Sequence, residues 1–347
     1  MEEFVNQKAL NDFNKKWAGK RAMFCYMLFT KVVFWHDKIT HCCSCTTNPH
    51  ANPIICTDEL ADFSFSRFIA NLDKTMKLNQ TRNGGPCKGC KYIKFQKVPM
   101  LPVENTFREI SITNFTICNS RCIYCELWQE KQSFYYPVLP IIRLMNENNL
   151  IHPDAHVSWG GGEILLYREF KDIFKYLLKN GFKQVINTTG ISYSKEIEEG
   201  LKSGIVDLQI SPDAGLIETY KKVKGQDAFY KVWENIEKYS VHSENVSVKY
   251  IIFSLNSSEE DVRAFINNCV KAKVRQVVIS CEWRTIWNYD EDWQYGGLTE
   301  KEYNAAALML RLAEDNNLEV SISAIWSEKD RKYIRNSATK IKSEINV

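Results

Sequence analysis

One stretch of the sequence decides the fold: Cys118-Asn-Ser-Arg-Cys122-Ile-Tyr-Cys125. Three thiolates at this spacing can wrap one corner of a cubane and bind three irons of a 4Fe–4S cluster. The fourth iron then stays open to an outside chelating ligand, which the closed coordination of a structural zinc site does not offer. The spacing therefore predicts a reactive iron–sulfur site, with three unrelated buried thiols or half of a zinc knuckle as the alternative.

The surrounding composition is that of a globular protein with a real core. The chain has 347 residues, of which 25% are charged and 44% are hydrophobic. This balance excludes disordered and low-complexity classes and allows one large domain or two modest ones. The 45 basic and 42 acidic residues give a net charge of +3, too even to imply by itself a nucleic acid or a membrane as an electrostatic partner.

The cysteines are numerous and clustered. There are 12 of them, and they crowd into residues 25–90 and 118–125, with only Cys269 and Cys281 later in the chain. The N-terminus lacks the basic region of a secretory signal, and the apolar stretch 22–35 contains Lys31 and is too short to span a bilayer. We therefore expect a cytoplasmic protein whose reduced thiols bind metal or do chemistry.

Beyond this cysteine-rich head, short strand-like runs alternate with helix-period runs. The helical runs carry apolar residues at i, i+3 and i+4, as at Phe170, Ile173 and Phe174. Six strands separated by helices favour parallel βαβ units in an open barrel or a doubly wound sheet, with the chemistry at the C-terminal ends of the strands. The strand candidates are Glu109–Thr113, His156–Trp159, Gln184–Asn187, Val206–Ile210, Val246–Phe253 and Gln276–Ser280.

Two polar motifs follow strand candidates. The second strand runs into Trp159-Gly-Gly-Gly-Glu163, where glycines let the backbone approach a ligand closely. The fourth strand ends in Ser211-Pro-Asp213-Ala-Gly215, for which a plain turn formed by Pro212 and Gly215 is the alternative.

Together the motifs resemble the radical S-adenosylmethionine (SAM) superfamily, whose signature is C-x3-C-x-aromatic-C, with Tyr124 in the aromatic place beside the cofactor. The resemblance implies an α/β fold with a partial (β/α)6 radical SAM barrel. Lys224 falls where relatives often carry an arginine near the SAM carboxylate, but it lacks the bidentate fork of arginine and is not assigned a role. The implied roles are cluster binding for Cys118, Cys122 and Cys125, contact with the SAM amino group for Gly161, Gly162 and Glu163, and contact with the SAM ribose for Ser211 and Asp213.

The head holds a second set of thiols that are far apart in sequence. Within it, Cys87-Lys-Gly-Cys90 resembles a metal knuckle, in which Gly89 lets the backbone turn. The head resembles the twitch domain, the shortened relative of the SPASM extension, which carries one auxiliary 4Fe–4S cluster. Four cysteines would close the coordination, which implies electron transfer, while a zinc site or a folding staple remains the alternative. Cys43 or Cys45 can replace Cys42 as a ligand. The expected ligands are Cys25, Cys42, Cys87 and Cys90.

Three segments are expected. Residues 1–100 form a small N-terminal twitch-like Fe–S domain, residues 101–326 form the barrel, and residues 327–347 form a polar basic tail that is either a solvated helix or frayed. The expected partners are a small-molecule or peptide substrate and an electron donor such as flavodoxin or ferredoxin, with no nucleic acid and no membrane.

The resemblance also implies the chemistry. Reductive cleavage of SAM gives a 5′-deoxyadenosyl radical, which takes hydrogen from an unactivated carbon of a sugar, an aminocyclitol or a peptide. Net oxidation through the auxiliary cluster is the favoured outcome. The alternative is epimerisation, with Cys281 at the end of the last strand returning a hydrogen atom, unless Cys281 is simply a core residue. The aromatic and acidic loop from Trp283 to Tyr295 is a candidate substrate surface or a cap on the core. The alternative from a different functional class is a non-catalytic interaction protein that binds metal.

Overall fold

The computed structural model describes the chain in separate ranges. These are residues 5, 7–42, 55–56 (backbone), 63–81, 85–88, 90, 92–102, 104, 106–129, 136–282, 298–323 and 325–341. Cys43, Cys45, Gly89 and the loop from Trp283 to Tyr295 lie outside them, and so does the side chain of Cys56. The chain divides into two compact units, the first comprising residues 1–117, 131–162 and 166–184 and the second 118–130, 163–165 and 185–347.

The first unit begins with the cysteine-rich head and continues through the first two strands predicted for the barrel. Its elements are α1 (Gln7–Trp17), β1 (Arg21–Phe24), α2 (Met27–Thr30), β2 (Lys31–Trp35), β3 (Lys38–Thr40), β4 (Ile55–Cys56), α3 (Phe65–Asn79), β5 (Lys94–Lys97), β6 (Phe107–Thr113), α4 (Leu139–Glu147), β7 (Ile151–Trp159) and α5 (Phe170–Lys179).

Two sheets organise this unit. In one, the strand order is β7-β6-β2-β3-β4, and β2 runs parallel to β6 while β3 returns antiparallel to β2. In the other, β1 pairs antiparallel with β5. The aromatic core beneath them includes Phe68, whose ring packs edge-on against Phe107 of β6 at 4.9 Å.

The second unit holds the remaining alternation of strands and helices. Its elements are β8 (Lys183–Thr188, from Val185 onward), α6 (Lys195–Lys202), β9 (Val206–Ile210), α7 (Ile217–Lys224), α8 (Phe229–Ser240), β10 (Val246–Ile252), α9 (Glu259–Lys271), β11 (Gln276–Cys281), α10 (Glu300–Asp315), β12 (Glu319–Ile322) and α11 (Glu328–Ala338).

The strands of the second unit follow sequence order, β8-β9-β10-β11-β12, and β9 to β12 are parallel. The helices cover one face of this sheet, as where Tyr250 of β10 packs against Phe265 of α9 with ring centroids 4.6 Å apart. The predicted α/β class and all six predicted strands, β6 to β11, are confirmed. Closure of the strands into a partial barrel stays a prediction. Within the described residues, no helix is both long and apolar enough to cross a membrane.

The predicted domain boundaries stay predictions, and two features of the fold lie near them. The boundary at residue 100 falls inside the first unit, because β2 of the head pairs in parallel with β6 and continues its sheet. The predicted C-terminal tail contains α11, a helix with Ile334 and Ala338 buried and with Asp330 accepting a hydrogen bond from the Tyr303 hydroxyl at 2.9 Å. Its buried residues sit four apart, so an apolar stripe exists within a largely basic segment.

A buried carboxylate ties the turn after β9 to α9. Asp261 is fully buried and accepts hydrogen bonds from the backbone N–H groups of Gly215 at 2.9 Å and Leu216 at 3.0 Å, and from the Tyr250 hydroxyl. A side chain at Gly215 would not fit, since a Cβ there would lie 2.0 Å from the Asp261 carbonyl oxygen. The turn is therefore pinned directly against the start of α9.

We predict that Asp261→Asn lowers the stability of the protein. The amide nitrogen of asparagine cannot accept, so at least one buried N–H or O–H loses its partner, at a cost of about 1–3 kcal/mol. Differential scanning calorimetry should show a Tm lowered by several degrees, while Glu260→Gln, one position away and exposed, should leave Tm unchanged. Equal Tm values for the two variants would contradict the role given to Asp261.

Candidate active site

The three-cysteine loop follows β6 and folds as a compact turn. The N–H of Cys125 donates to the carbonyl oxygen of Cys122 at 3.0 Å, and the N–H of Ser120 points at the sulfur of Cys118 at 3.4 Å. The indole N–H of Trp128 also donates to the Cys122 carbonyl at 3.3 Å. These three hydrogen bonds hold the shape of the loop. The N–H of Ser120 also faces the sulfur of Cys118, one of the predicted cluster ligands.

The C-terminal end of α7 fixes this loop in place. The N–H of Arg121 donates to the Lys224 carbonyl at 2.9 Å, and the N–H of Ile123 donates to the Val223 carbonyl at 3.1 Å. Gly225 ends α7 with φ of 65°, and a Cβ there would lie 2.9 Å from the carbonyl oxygen of Arg121. Glycine is required at this point because the two backbones come so close.

Beneath the loop lies a buried cluster of Lys224, Asp213 and Tyr124. The Lys224 ammonium is 2.7 Å from Asp213 Oδ2 and 2.8 Å from the Tyr124 hydroxyl, and Tyr124 itself donates to Asp213 Oδ2 at 2.5 Å. Burial by itself lowers the pKa of Lys224, but the carboxylate of Asp213 outweighs this effect and holds that pKa well above its usual value. The lysine is therefore a charged group paired in the interior.

Asp213 has little acceptor capacity left. Its Oδ1 accepts from the backbone N–H of Ile251 at 2.8 Å, and its backbone carbonyl accepts from the side-chain amide of Asn256 at 2.9 Å. Its φ of 53° is in the left-handed region, which aspartate tolerates better than most residues. A carboxylate offers about four acceptor sites, and three are occupied by the chain itself. The predicted contact of Asp213 with the SAM ribose stays a prediction.

Glu163 is also buried and mostly committed to its own chain. Its Oε1 accepts from the Thr188 hydroxyl at 2.7 Å and the Leu165 N–H at 3.3 Å, while its Oε2 accepts from the Thr189 N–H at 2.7 Å. Glu163 therefore shapes the turn after β8, and one of its about four acceptor sites remains for a ligand amino group.

Ser211 presents a freer group. It follows β9 and is half-buried, and its hydroxyl has no hydrogen-bond partner within the described residues. A hydroxyl both donates and accepts, so Ser211 could bind a sugar hydroxyl group, and its contact with the SAM ribose stays a prediction.

In the first unit, the glycine motif forms a tight cradle after β7. A Cβ at Gly161 would lie 2.5 Å from the Phe115 carbonyl oxygen, and one at Gly162 would lie 2.1 Å from the carbonyl oxygen of Ile117. Gly161 also has φ of 89°. Only glycine fits at both positions because the chain's own backbone comes so close, and the predicted contact of Gly161 and Gly162 with the SAM amino group stays a prediction.

The donor chemistry of the loop fits an iron–sulfur cluster. The pKa of Cys118 is raised to about 11, chiefly by burial and to a smaller extent by the nearby Cys122, Glu163 and Cys125. Binding must then release the thiol protons, as metal sites generally require. In the described part of the chain, no three His, Cys, Asp or Glu side chains are grouped to hold a single metal ion. Each cysteine of a cluster binds a different iron, so such ligands are spread more widely.

The four thiols predicted for the head are brought together. Burial raises the pKa of Cys25, and the neighbouring thiols of Cys42, Cys90 and Cys87 raise it further. Cys42 and Cys87 are buried, whereas Cys25 and Cys90 are half-exposed. The N–H of Cys90 donates to the carbonyl of Cys87 at 3.0 Å, so this pair does form a turn. The four thiols are thus close enough to influence one another electrostatically, and their binding of an auxiliary cluster stays a prediction.

The side chain of Cys281 lies on the helix-covered face of the second unit's sheet. In the parallel register of β10 and β11, Ile252 lies opposite Cys281 and Tyr250 lies opposite Ile279. Side chains two positions apart on a strand share a face, so Cys281 is on the same face as Tyr250. Tyr250 packs against α9. It is 1% exposed, and burial raises the pKa of its thiol well above the usual value. The strand-end position suggested hydrogen-atom donation, but alternation along the strand turns the side chain towards the helices. The placement favours the core-residue interpretation.

Sequence reasoning left three groups of this site unassigned. Lys224 had a signal, the Lys-Gly pair, but nothing in the pattern showed that its charge faces Asp213. Asn256 and Asp261, which hold the turn after β9, carry no local signal at all, because their partners lie about 40 residues earlier in the chain.

Comparison with known proteins gives the family of the domain. Residues 112–269 match the family model described as the Radical SAM superfamily. A GTP 3',8-cyclase from Photorhabdus laumondii is 24% identical over 166 residues, covering 46% of this chain and 50% of that protein. A probable GTP 3',8-cyclase from Saccharolobus islandicus is 30% identical over 159 residues, covering 46% and 51%. The matched region contains the three-cysteine loop, the glycine motif and the turn after β9.

The chain spans about half the length of the curated relatives that it matches. Among solved structures, Streptococcus suis SuiB bound to the precursor peptide SuiA matches with a TM-score of 0.47 at 14% identity, covering 74% of this chain and 54% of that chain.

We predict that Lys224→Met destabilises the protein and reduces iron incorporation. It leaves the Asp213 carboxylate buried without its cation, which costs about 3–5 kcal/mol. Adding Asp213→Asn should restore part of the loss, because the buried charge is then removed. The exposed Lys222→Met on the same helix is the control. Tm and iron per chain after anaerobic reconstitution measure the effect, and a double variant less stable than Lys224→Met would contradict the pairing.

Proposed function

We propose that this chain, whose residues 112–269 belong to the radical SAM superfamily, is an enzyme that cleaves SAM reductively and removes hydrogen from an unactivated carbon of its substrate. One observation carries the proposal. The loop with Cys118, Cys122 and Cys125 is clamped at its backbone by α7 and from below by the buried Lys224–Asp213 pair, so three thiols are presented on a fixed frame. A fourth protein ligand is not supplied by that loop, which leaves a place for SAM.

Cys118, Cys122 and Cys125 would hold a 4Fe–4S cluster, which would supply the electron for reductive cleavage of SAM. The chain's own residues bind and orient. Glu163 keeps an acceptor site for the SAM amino group while it fixes Thr188 and Thr189. The Ser211 hydroxyl is free within the described residues to bind the ribose. Asp213 acts chiefly through Tyr124 and Lys224, as a positioning residue.

Net oxidation is the outcome we favour. Dehydrogenation removes two hydrogens, one as an atom and the other as a proton and an electron. That electron must pass to an acceptor. The four thiols gathered in the head offer one, because a closed four-cysteine cluster transfers electrons without binding substrate. Epimerisation would need a thiol that reaches the substrate, and Cys281 faces the helices instead.

The substrate we favour contains a sugar. The relatives named GTP 3',8-cyclase carry, by that name, a substrate with a ribose, which supports the sugar branch of the prediction over the peptide branch. The face of the second unit's sheet that points away from α9 also carries polar side chains, which agrees with this choice. Asn187, Gln209, Lys249 and Ser321 are exposed or half-buried there, whereas Ile186, Ile210 and Tyr250 on the helix-covered face are buried.

The proposal predicts about eight irons per chain and release of 5′-deoxyadenosine when the reconstituted protein is given SAM and dithionite under anaerobic conditions. Replacing Cys118, Cys122 and Cys125 with alanine should leave about four irons and abolish this release. Cys269→Ala removes a thiol buried on α9 and is the control that should retain both. Absence of 5′-deoxyadenosine from fully loaded wild type would favour a non-catalytic metal-binding protein.

The reaction class has its own prediction. The Cys87→Ala/Cys90→Ala variant should still release 5′-deoxyadenosine but form little product, since the exit for the second electron is lost. Cys281→Ala should retain product formation. Mass spectrometry of the wild-type product should show the loss of two hydrogens and, in D2O, no deuterium on carbon. A product of unchanged mass carrying one deuterium would establish epimerisation instead.

A further inference from the structure

A lysine without a counter-ion lies on the face of the second unit's sheet that points away from α9. In β10, Tyr250 packs against Phe265 of α9, so the neighbouring Lys249 points to the opposite face. Lys249 is half-buried, and it forms no hydrogen bond or ion pair with the residues that the structure describes. A cation withdrawn from water is costly unless it is paired, so this position suits an anion that a ligand brings.

The carboxylate of Asp213 lies near Lys249 but is already committed. Its Oδ1 accepts from the N–H of Ile251, two positions after Lys249, at 2.8 Å, and its Oδ2 is 2.7 Å from the Lys224 ammonium. Burial lowers the pKa of Lys249, Asp213 offsets this effect only in part, and the charge of Lys224 lowers that pKa further. The positive charge of Lys249 is therefore not balanced by its surroundings.

A second hydrogen-bond donor adjoins the lysine. The parallel register pairs Ile210 of β9 with Val248 of β10, so the next residues on the two strands, Ser211 and Lys249, are neighbours. The Ser211 hydroxyl is also without a hydrogen-bond partner among the described residues. A hydroxyl and an ammonium side by side can both donate, which suits the several acceptor oxygens of a phosphate or a carboxylate.

The charges on this face are sorted along the strands. Register and alternation place Asp207 and Glu319 on the same face, at the N-terminal ends of β9 and β12. Asp207 is four residues before Ser211, about 13 Å along the strand. On the C-terminal half of the face, Lys249 is the one charged side chain among the described residues. A ligand with one anionic end is thus oriented with that end towards the C-terminal ends of the strands.

The N-terminal half of the same face borders a cavity of about 420 Å³. Its lining includes Gln209 and Gln276, which lie on either side of Ser247 in the register of β9, β10 and β11. A side-chain amide both donates and accepts, as a sugar hydroxyl does. The face therefore combines groups for an uncharged polar part of a ligand with a separate position for a negative charge.

We propose that Lys249 and Ser211 bind an anionic group, a phosphate ester or a carboxylate, of the sugar substrate. The inference rests on the proposed function, because it assigns the chemical class of the substrate at that site. SAM has one carboxylate of its own, which under the proposed function chelates the open iron, so Lys249 is left for the substrate. The Ser211 hydroxyl can donate to the anion and still accept from the SAM ribose. Lys249 binds and orients, and no bond is formed or broken there.

The test compares ribose 5-phosphate with ribose, its uncharged counterpart. Each is titrated by anaerobic calorimetry into the full-length reconstituted protein in the presence of S-adenosylhomocysteine, which is not cleaved. Ribose 5-phosphate should bind about tenfold more tightly than ribose. Lys249→Met should abolish this preference and Lys249→Arg should retain part of it. Lys222→Met, which removes an exposed cation from α7, should leave both affinities unchanged. Iron content and Tm serve as folding checks for every variant.

A second measurement reads the lysine itself. Acetylation by a succinimidyl ester, followed by mass spectrometry of the peptide, should show that ribose 5-phosphate protects Lys249 and that ribose does not. Equal affinities of the wild type for the two sugars would overturn the proposal. Inorganic phosphate binding as tightly as ribose 5-phosphate would overturn it too, by assigning the site to a free anion. So would a raised Kd for SAM in Lys249→Met with ribose 5-phosphate binding intact, which would assign the lysine to the SAM carboxylate.

The two proposals fail separately. Release of 5′-deoxyadenosine by the wild type with SAM and dithionite requires no sugar, so its absence would contradict the proposed function. A wild type that cleaves SAM but binds ribose 5-phosphate no better than Lys249→Met does would overturn the anion site alone.

Discussion

The buried ion pair between Lys224 and Asp213 is the interaction on which the candidate site depends. Two charges taken out of water are costly, and they persist only when each is paired and hydrogen-bonded. Here the ammonium also binds the Tyr124 hydroxyl, and Asp213 receives the N–H of Ile251. Because Tyr124 lies between two of the predicted cluster ligands, the position of the cysteine loop is set by the position of this pair. The lysine also carries the backbone carbonyl that binds Arg121.

The pair is in turn held in place by two further polar residues. Asp261 binds the turn just after Asp213, and Asn256 binds the Asp213 carbonyl. Such layers matter in reactive sites, since groups that must not move are stabilised by residues whose own positions are fixed. Close backbone contacts at two glycines also fix these elements. A Cβ at Gly215 would push α9 away, and a Cβ at Gly225 would push the cysteine loop away.

The two thiol sets differ in their number of donors, and this difference fits different tasks. Each set combines buried and half-buried thiols. Three cysteines leave one iron of a cluster open to an outside ligand, whereas four close its coordination. The proposed cluster of the loop is therefore suited to binding SAM, and the proposed cluster of the head to transferring electrons.

The sequence by itself determined the parts whose physics is local. The spacing of Cys118, Cys122 and Cys125 depends only on a short loop, and the period of apolar residues predicted the strands and helices because each element must bury one face. The tertiary structure decided what depends on pairing between distant residues. Lys224 meets a tyrosine 100 positions away, and no local pattern encodes that meeting. Cys281 was correctly expected at the end of a strand, but the direction of its side chain follows from the register of β10 and β11 and from the helix packed on Tyr250.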